Sequence, residues 1–228
     1  MKFLSQLVTA ASGSIGGLVA SRNRYGAYMR AKVIPVNPAT AIQSVIRNIF
    51  AGLVAAWKST LTAAQRLAWK QYAINVTVTD ALGQAQYLQP QNWYVGCNTP
   101  RLQAGLDRVD DAPTDFTRAL LTSPTATVVS TSAAISIAFD ITDPWANAVG
   151  GGCTVAVSAP QNETVEFFKG PYQYAGVIEG AAAPLTSPKT VQNPYGAAPA
   201  GTKTFIQLRG LEADGRTSIP FPVSDIST

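Results

Sequence analysis

Between Ile42 and Trp57 the apolar residues Ile42, Val45, Ile46, Ile49, Phe50, Leu53, Val54 and Trp57 are spaced alternately by three and by one. That spacing is the stripe of an amphipathic helix. Beyond residue 124 the pattern changes. Short runs rich in Val, Ile, Thr, Phe and Tyr occupy 125–130, 134–140, 154–159, 164–169, 172–178, 202–208 and 218–223. Ile135, Ile137 and Phe139 alternate with Ser136, Ala138 and Asp140, the period of a half-buried strand. Turn signals separate the runs: Asp143-Pro144, the glycines 150–152, Asn162, Asn193-Pro194 and Asp214-Gly215. A hydrophobic period that switches from helical to strand-like in blocks predicts an α+β chain.

Around that switch the chain divides into four stretches. Residues 1–36 read as a basic arm, with two strands expected on either side of a turn at 23–26, where Asn23 and Gly26 tolerate positive φ. A lone hairpin is marginal in water, so this one needs a surface to lie on. Residues 37–106 read as helical. Asn37-Pro38 predicts the start of the first helix. Thr62 with Gln65 forms a capping box for a second helix running to about Ile74. The short link favours antiparallel packing, with Trp57, Trp69 and Tyr72 in the interface. Val76 and Val78, then Tyr87 and Leu88, predict strands flanking 80–83. Residues 91–106 predict a helix broken around 96–100. Residues 107–124, with four Asp and two Pro, read as a linker whose acids are solvated. Residues 125–228 hold seven short strands, the spacing of an immunoglobulin-like sandwich.

Charge is segregated. Residues 1–79 carry nine basic side chains and no acid, while the rest carries eight basic and thirteen acidic ones, so the net +4 divides into +9 and −5. The basic stretch suits either an acidic partner, nucleic acid or the acidic half of a neighbouring copy, or a solvated basic face that keeps the protein in solution. Arg22, Arg24, Arg30 and Lys32 interleave with Tyr25 and Tyr28. These six are the candidate partner and assembly contacts, because basic and aromatic side chains on a hairpin can contact phosphates and stack on bases. Insertion into a neighbouring subunit explains the same residues and is favoured over nucleic acid.

The 228 residues contain no histidine. A Ser-His-Asp triad, a Cys-His dyad and a His-ligated metal are therefore excluded. Cys97 and Cys153 have no metal or redox spacing and are expected as two free buried thiols, with one disulfide between them as the alternative. Residues 7–17 mimic a dinucleotide-binding glycine turn, and Tyr28 with Lys32 has a Tyr-x-x-x-Lys spacing. No acid follows before Asp80, and a basic hairpin stands where the helix should be. Catalytic, cofactor and metal sites are all predicted to be none. No stretch of 18 apolar residues occurs, so no membrane-spanning helix is expected.

Tyr28-x-Arg30, Pro35-x-Asn37-Pro38-x-Thr40, Gln43, Arg47, Phe50, Trp57, Leu61-Thr62-x-x-Gln65-Arg66-x-x-Trp69 and Tyr72-Ala73 stand in a characteristic order. The pattern resembles the N-terminal module of uncharacterised phage and prophage structural proteins, in which a basic hairpin leads into a helical pair. It covers residues 13–74 and departs from the usual form at Ala41 and Ile42, which are more often polar. The stretch 203–209 followed by 213–220 resembles the last two strands of a fibronectin type III domain. These resemblances imply a non-enzymatic virion protein of a tailed bacteriophage, a capsid decoration or minor capsid component. Its expected partners are other copies of itself, as a homo-oligomer, and other virion proteins. A tail component, a cell-surface adhesive module and a nucleic-acid-binding packaging protein are the alternatives.

Overall fold

A computed structural model describes residues 13–23, 26–34, 36–37, 39–79, 84–183 and 185–228. The chain forms two compact units, 1–41 and 42–228, and its class is α+β.

In the first unit three antiparallel strands, β1 (Gly13–Ile15), β2 (Leu18–Asn23) and β3 (Gly26–Ala31), lie in that order. β2 and β3 are the expected hairpin, and β1 is an addition to it. Ile15 pairs with Leu18 across Gly16-Gly17. Gly16 has φ +56, a conformation that favours glycine in a two-residue hairpin turn.

The second unit starts with α1 (Ala41–Ser59) and α2 (Ala63–Asn75). α1 begins past the expected Asn37-Pro38 start. Asn37 instead accepts the Ala39 N–H at 3.3 Å in an Asx-type turn, and Pro38 lies outside the described residues. The capping box on α2 forms as its residues require: Thr62 Oγ1 accepts from the Gln65 N–H at 3.2 Å, and Gln65 Oε1 accepts from the Thr62 N–H at 2.9 Å. Two short strands, β4 (Val78–Thr79) and β5 (Ala85–Gln86), pair around 80–83, which lie outside the described residues.

The helix after them, α3 (Pro90–Gln103), is unbroken. Pro100 removes one backbone donor, yet burial of Trp93, Tyr94, Cys97, Asn98 and Arg101 holds the helix together. Side-chain bonds from Thr99 to the Val95 carbonyl (2.7 Å) and from Asn98 to the Tyr94 carbonyl (3.0 Å) reinforce the turn before it. Tertiary contacts here override the local penalty for proline. Leu53, Leu61, Trp69, Tyr72, Val76, Trp93, Tyr94 and Cys97 form the core of this helical layer.

Residues 107–124 connect the helices to the sheets, but not as a loose, solvated linker. Asp110 accepts from the Trp69 indole through its carbonyl (2.9 Å) and from the Tyr94 hydroxyl through its carboxylate (3.0 Å). Asn98 bonds Val109 in both directions. Arg216 binds Asp115, Asp214 and Glu212, and Glu212 accepts the Leu120 N–H at 3.1 Å. The acids that marked this segment as soluble are the groups that fasten it.

The remaining strands form two sheets. One is β11 (Lys189–Gln192), β7 (Ala134–Ala138) and β6 (Thr125–Val128) in that order. The other runs β10 (Gln173–Glu179), β8 (Gly152–Val157), β12 (Thr202–Leu211) and β13 (Phe221–Ile226), with β9 (Gln161–Asn162) also paired to β12. Every pairing is antiparallel. Val128, Ile135 and Ile137 from the first sheet and Val155, Val157, Ile206 and Leu208 from the second share one core, with Trp145 buried among them.

Two expectations are corrected in this half. Residues 164–169 form no strand, because the Asn162 carboxamide captures the Thr164 N–H and hydroxyl in an Asx turn. β11 escaped notice because Val191 is the sole apolar residue among its four, too few to show a period.

Candidate functional site

The six contact residues expected on the arm fall on or beside the β2–β3 hairpin. Arg22 pairs with Ala27 in the ladder. The Arg22 side chain, and Arg24 and Tyr25 altogether, lie outside the described residues. Tyr28 and Arg30 are two positions apart on β3 and therefore share a face, opposite Ser21 and Val19 of β2. Tyr28 is half-buried and Arg30 exposed. Lys32 is exposed just past the strand, and its N–H donates to the Gly17 carbonyl at 2.8 Å. Ile15, Leu18, Val33, Ile34 and Val36 of the same unit are also exposed. The arm thus presents cationic and aliphatic groups together.

In the second unit the amphipathic stripe of α1 is buried over only part of its length. Leu53 is 1% exposed, but Ile42, Val45 and Phe50 are 59%, 52% and 55% exposed. Toward the C-terminal end of the stripe Ile49, Leu53, Val54 and Trp57 pack into the core shared with α2 and α3, while Ile42 and Val45 toward its N-terminal end, and Phe50, stay exposed. Nothing in spacing distinguishes the covered residues from the open ones, because an amphipathic stripe announces burial without naming the partner.

Among the other basic residues of the first third, Arg66 is structural. Its Nη1 donates to the Trp57 and Lys58 carbonyls at 3.2 and 3.4 Å and so caps the end of α1.

Neither cysteine is a poised nucleophile. Cys97 and Cys153 are free and buried. Burial pushes each thiol up to about 12, far from the thiolate form that reacts. Native protein is expected to resist iodoacetamide at mildly alkaline pH and to take two labels once unfolded in guanidinium. Native labelling at either position, read by intact-mass spectrometry, contradicts this burial. Among the described residues no group of three or more His, Cys, Asp or Glu side chains could hold a metal ion, and no helix is long and apolar enough to cross a membrane. The exposed groups include apolar residues of α1 and, on the arm, Arg30 and Lys32. No family model matches the chain, and neither a curated protein nor a solved structure matches it.

Proposed function

We propose that this chain is a non-enzymatic structural protein of a tailed-bacteriophage virion, a capsid decoration or minor capsid component anchored by its basic hairpin and by α1. The observation that carries the reading is the apolar stripe of α1, on which Ile42, Val45 and Phe50 stand open while Leu53 is buried. A face of that kind marks a protein–protein contact. The order of Tyr28, Arg30, Leu61-Thr62, Gln65-Arg66 and Trp69 supports a phage structural module. The segregation of +9 and −5 supports head-to-tail association among copies or with an acidic neighbour.

We read the C-terminal half as an immunoglobulin-like, fibronectin-like sandwich. Counting β6, β7, β8, β10, β11, β12 and β13 as first to seventh, the first, second and fifth share one sheet, and the third, sixth and seventh share the other. That division is the one such sandwiches use, with the fourth strand here beside the third. Modules of this type mostly bind or build, and the fold alone supplies no chemistry.

Particles assembled from the genome that encodes the chain test the reading. Quantitative mass spectrometry is expected to find it at a constant ratio to the major capsid protein. A chain with Ile42→Ser, Val45→Ser and Phe50→Ser combined is expected to keep its circular dichroism and to be lost from the particles. Particles without the chain, or incorporation of the variant at the wild-type ratio, refute the proposal.

A further inference from the structure

A cleft of about 430 Å³ opens between α3, residues 77–79 with Leu88, and the loop joining β12 to β13. Val78, Leu88, Trp93 and Ile219 give it an apolar wall, and two arginines, Arg118 and Arg209, also line it. The Arg118 guanidinium lies 4.7 Å from the centre of the Trp93 ring.

These arginines differ from the others around them. Arg101, Arg108 and Arg216 all hold carbonyl or carboxylate oxygens. Among the described residues Arg118 and Arg209 have no ion pair and no side-chain hydrogen bond. Burial and the neighbouring Arg118 charge both disfavour the protonated form of Arg209, yet a guanidinium keeps its proton in a protein. Two like charges therefore stand at one wall with no ion-pair partner among the described residues, an arrangement that an anion would relieve. The Trp93 side chain is 4% exposed, and its Nε1–H is buried with no partner among the described residues. The Trp69 and Trp145 indoles, in contrast, donate to the Asp110 carbonyl and the Asp143 carboxylate. Buried donors are normally satisfied, and one that is not calls for an explanation.

We propose that this cleft is a binding site for a carboxylate carried on an apolar body, its charge held by Arg118 and Arg209 and its body laid on Trp93, Leu88 and Ile219. A carboxylate matches the planar guanidinium fork. The apolar wall selects a ligand with a hydrocarbon part over a bare ion. The acid comes either from a free small molecule or from the terminal carboxylate of a polypeptide.

The test follows the Trp93 indole N–H by NMR in the ¹⁵N-labelled full chain, with the signal assigned through Trp93→Phe. Benzoate is expected to shift it saturably, inorganic phosphate to bind more weakly, and neutral benzamide to leave it in place. Arg118→Gln and Arg209→Gln are each expected to weaken benzoate by about tenfold, the loss of a hydrogen bond to a charged group. Stronger binding of N-acetyl-alanyl-phenylalanine than of benzoate assigns the site to a polypeptide terminus, and the reverse order assigns it to a free acid. The proposal is overturned if benzamide shifts the signal as benzoate does, if benzoate leaves it unmoved, or if phosphate saturates first. Each of these is read on the wild-type chain, so none depends on a variant folding.

Discussion

Trp69→Ala is expected to lower the unfolding free energy by about 4 kcal/mol. Trp69 has no solvent exposure and stands at the centre of the helical core. Its ring meets Tyr72 and Tyr94 edge-on, with centroids 5.7 and 5.6 Å away. Its indole nitrogen donates to the Asp110 carbonyl at 2.9 Å, which fixes the 107–124 segment on the helices. Alanine removes all of these at once and leaves a cavity ringed by aromatic side chains that cannot collapse into it. Trp69→Phe separates the contributions. It keeps most of the ring and abandons only the Asp110 carbonyl, at a cost of roughly 1–2 kcal/mol. Guanidinium denaturation followed by far-UV circular dichroism measures both. A loss below about 1 kcal/mol for the alanine variant would show that this cluster does not hold the helices together. Since whole domains are stable by only about 5–15 kcal/mol, the expected loss is a large part of the total.

Gly180→Ala is expected to be as damaging, for a different reason. A Cβ at 180 would overlap the carbonyl oxygens of Trp145 and Ala148, both backbone atoms that no rotamer change can move. The Gly180 N–H donates to the Gly151 carbonyl at 2.9 Å, and the Ala181 N–H to the Ala146 carbonyl at 3.1 Å. Any relief of the overlap therefore breaks the bonds that seat the 141–151 loop against the end of β10. Trp145, fully buried against Phe139, sits on that loop. A loss of about 3 kcal/mol or more is expected, at or beyond the upper end for overpacking. Gly151→Ala meets the same Trp145 carbonyl and should behave alike. Gly196→Ala, whose Cβ would meet nothing within 4 Å, controls for the change of residue, since Gly196 carries only the strain of its φ of +81. If Gly180→Ala melts with Gly196→Ala, this close approach is not what seats the loop.

Much of the architecture was legible because it rests on local chemistry. Thr62 and Gln65 satisfy each other's backbone donors within one turn, so the start of α2 could be read from two residues. Ile135 and Ile137 alternate with small or polar neighbours, so β7 announced its buried face. Where the reading went astray, a distant partner decided the outcome. Pro100 argues against a helix, but the burial of Trp93, Tyr94 and Arg101 around it decides for one. The acids at 107, 110, 111 and 115 look soluble in one dimension. Asp110 finds Tyr94, and Asp115 finds Arg216, only once the chain has closed.

The two candidate sites divide along the same line. Arg30, Lys32 and Tyr28 form a visible pattern because they are close neighbours in sequence on one hairpin. Arg118 and Arg209 are ninety-one residues apart, sit in segments of unrelated character, and carry no motif. Local residue patterns settle where helices and strands begin and which side of each is apolar, since capping, period and turn chemistry act within a few residues. Which apolar faces are then covered is settled by packing between distant segments. Ile42, Val45 and Phe50 of α1 stay open, and Trp93 is buried beside two arginines that have no ion pair among the described residues, because burial and charge compensation depend on what the folded chain brings alongside.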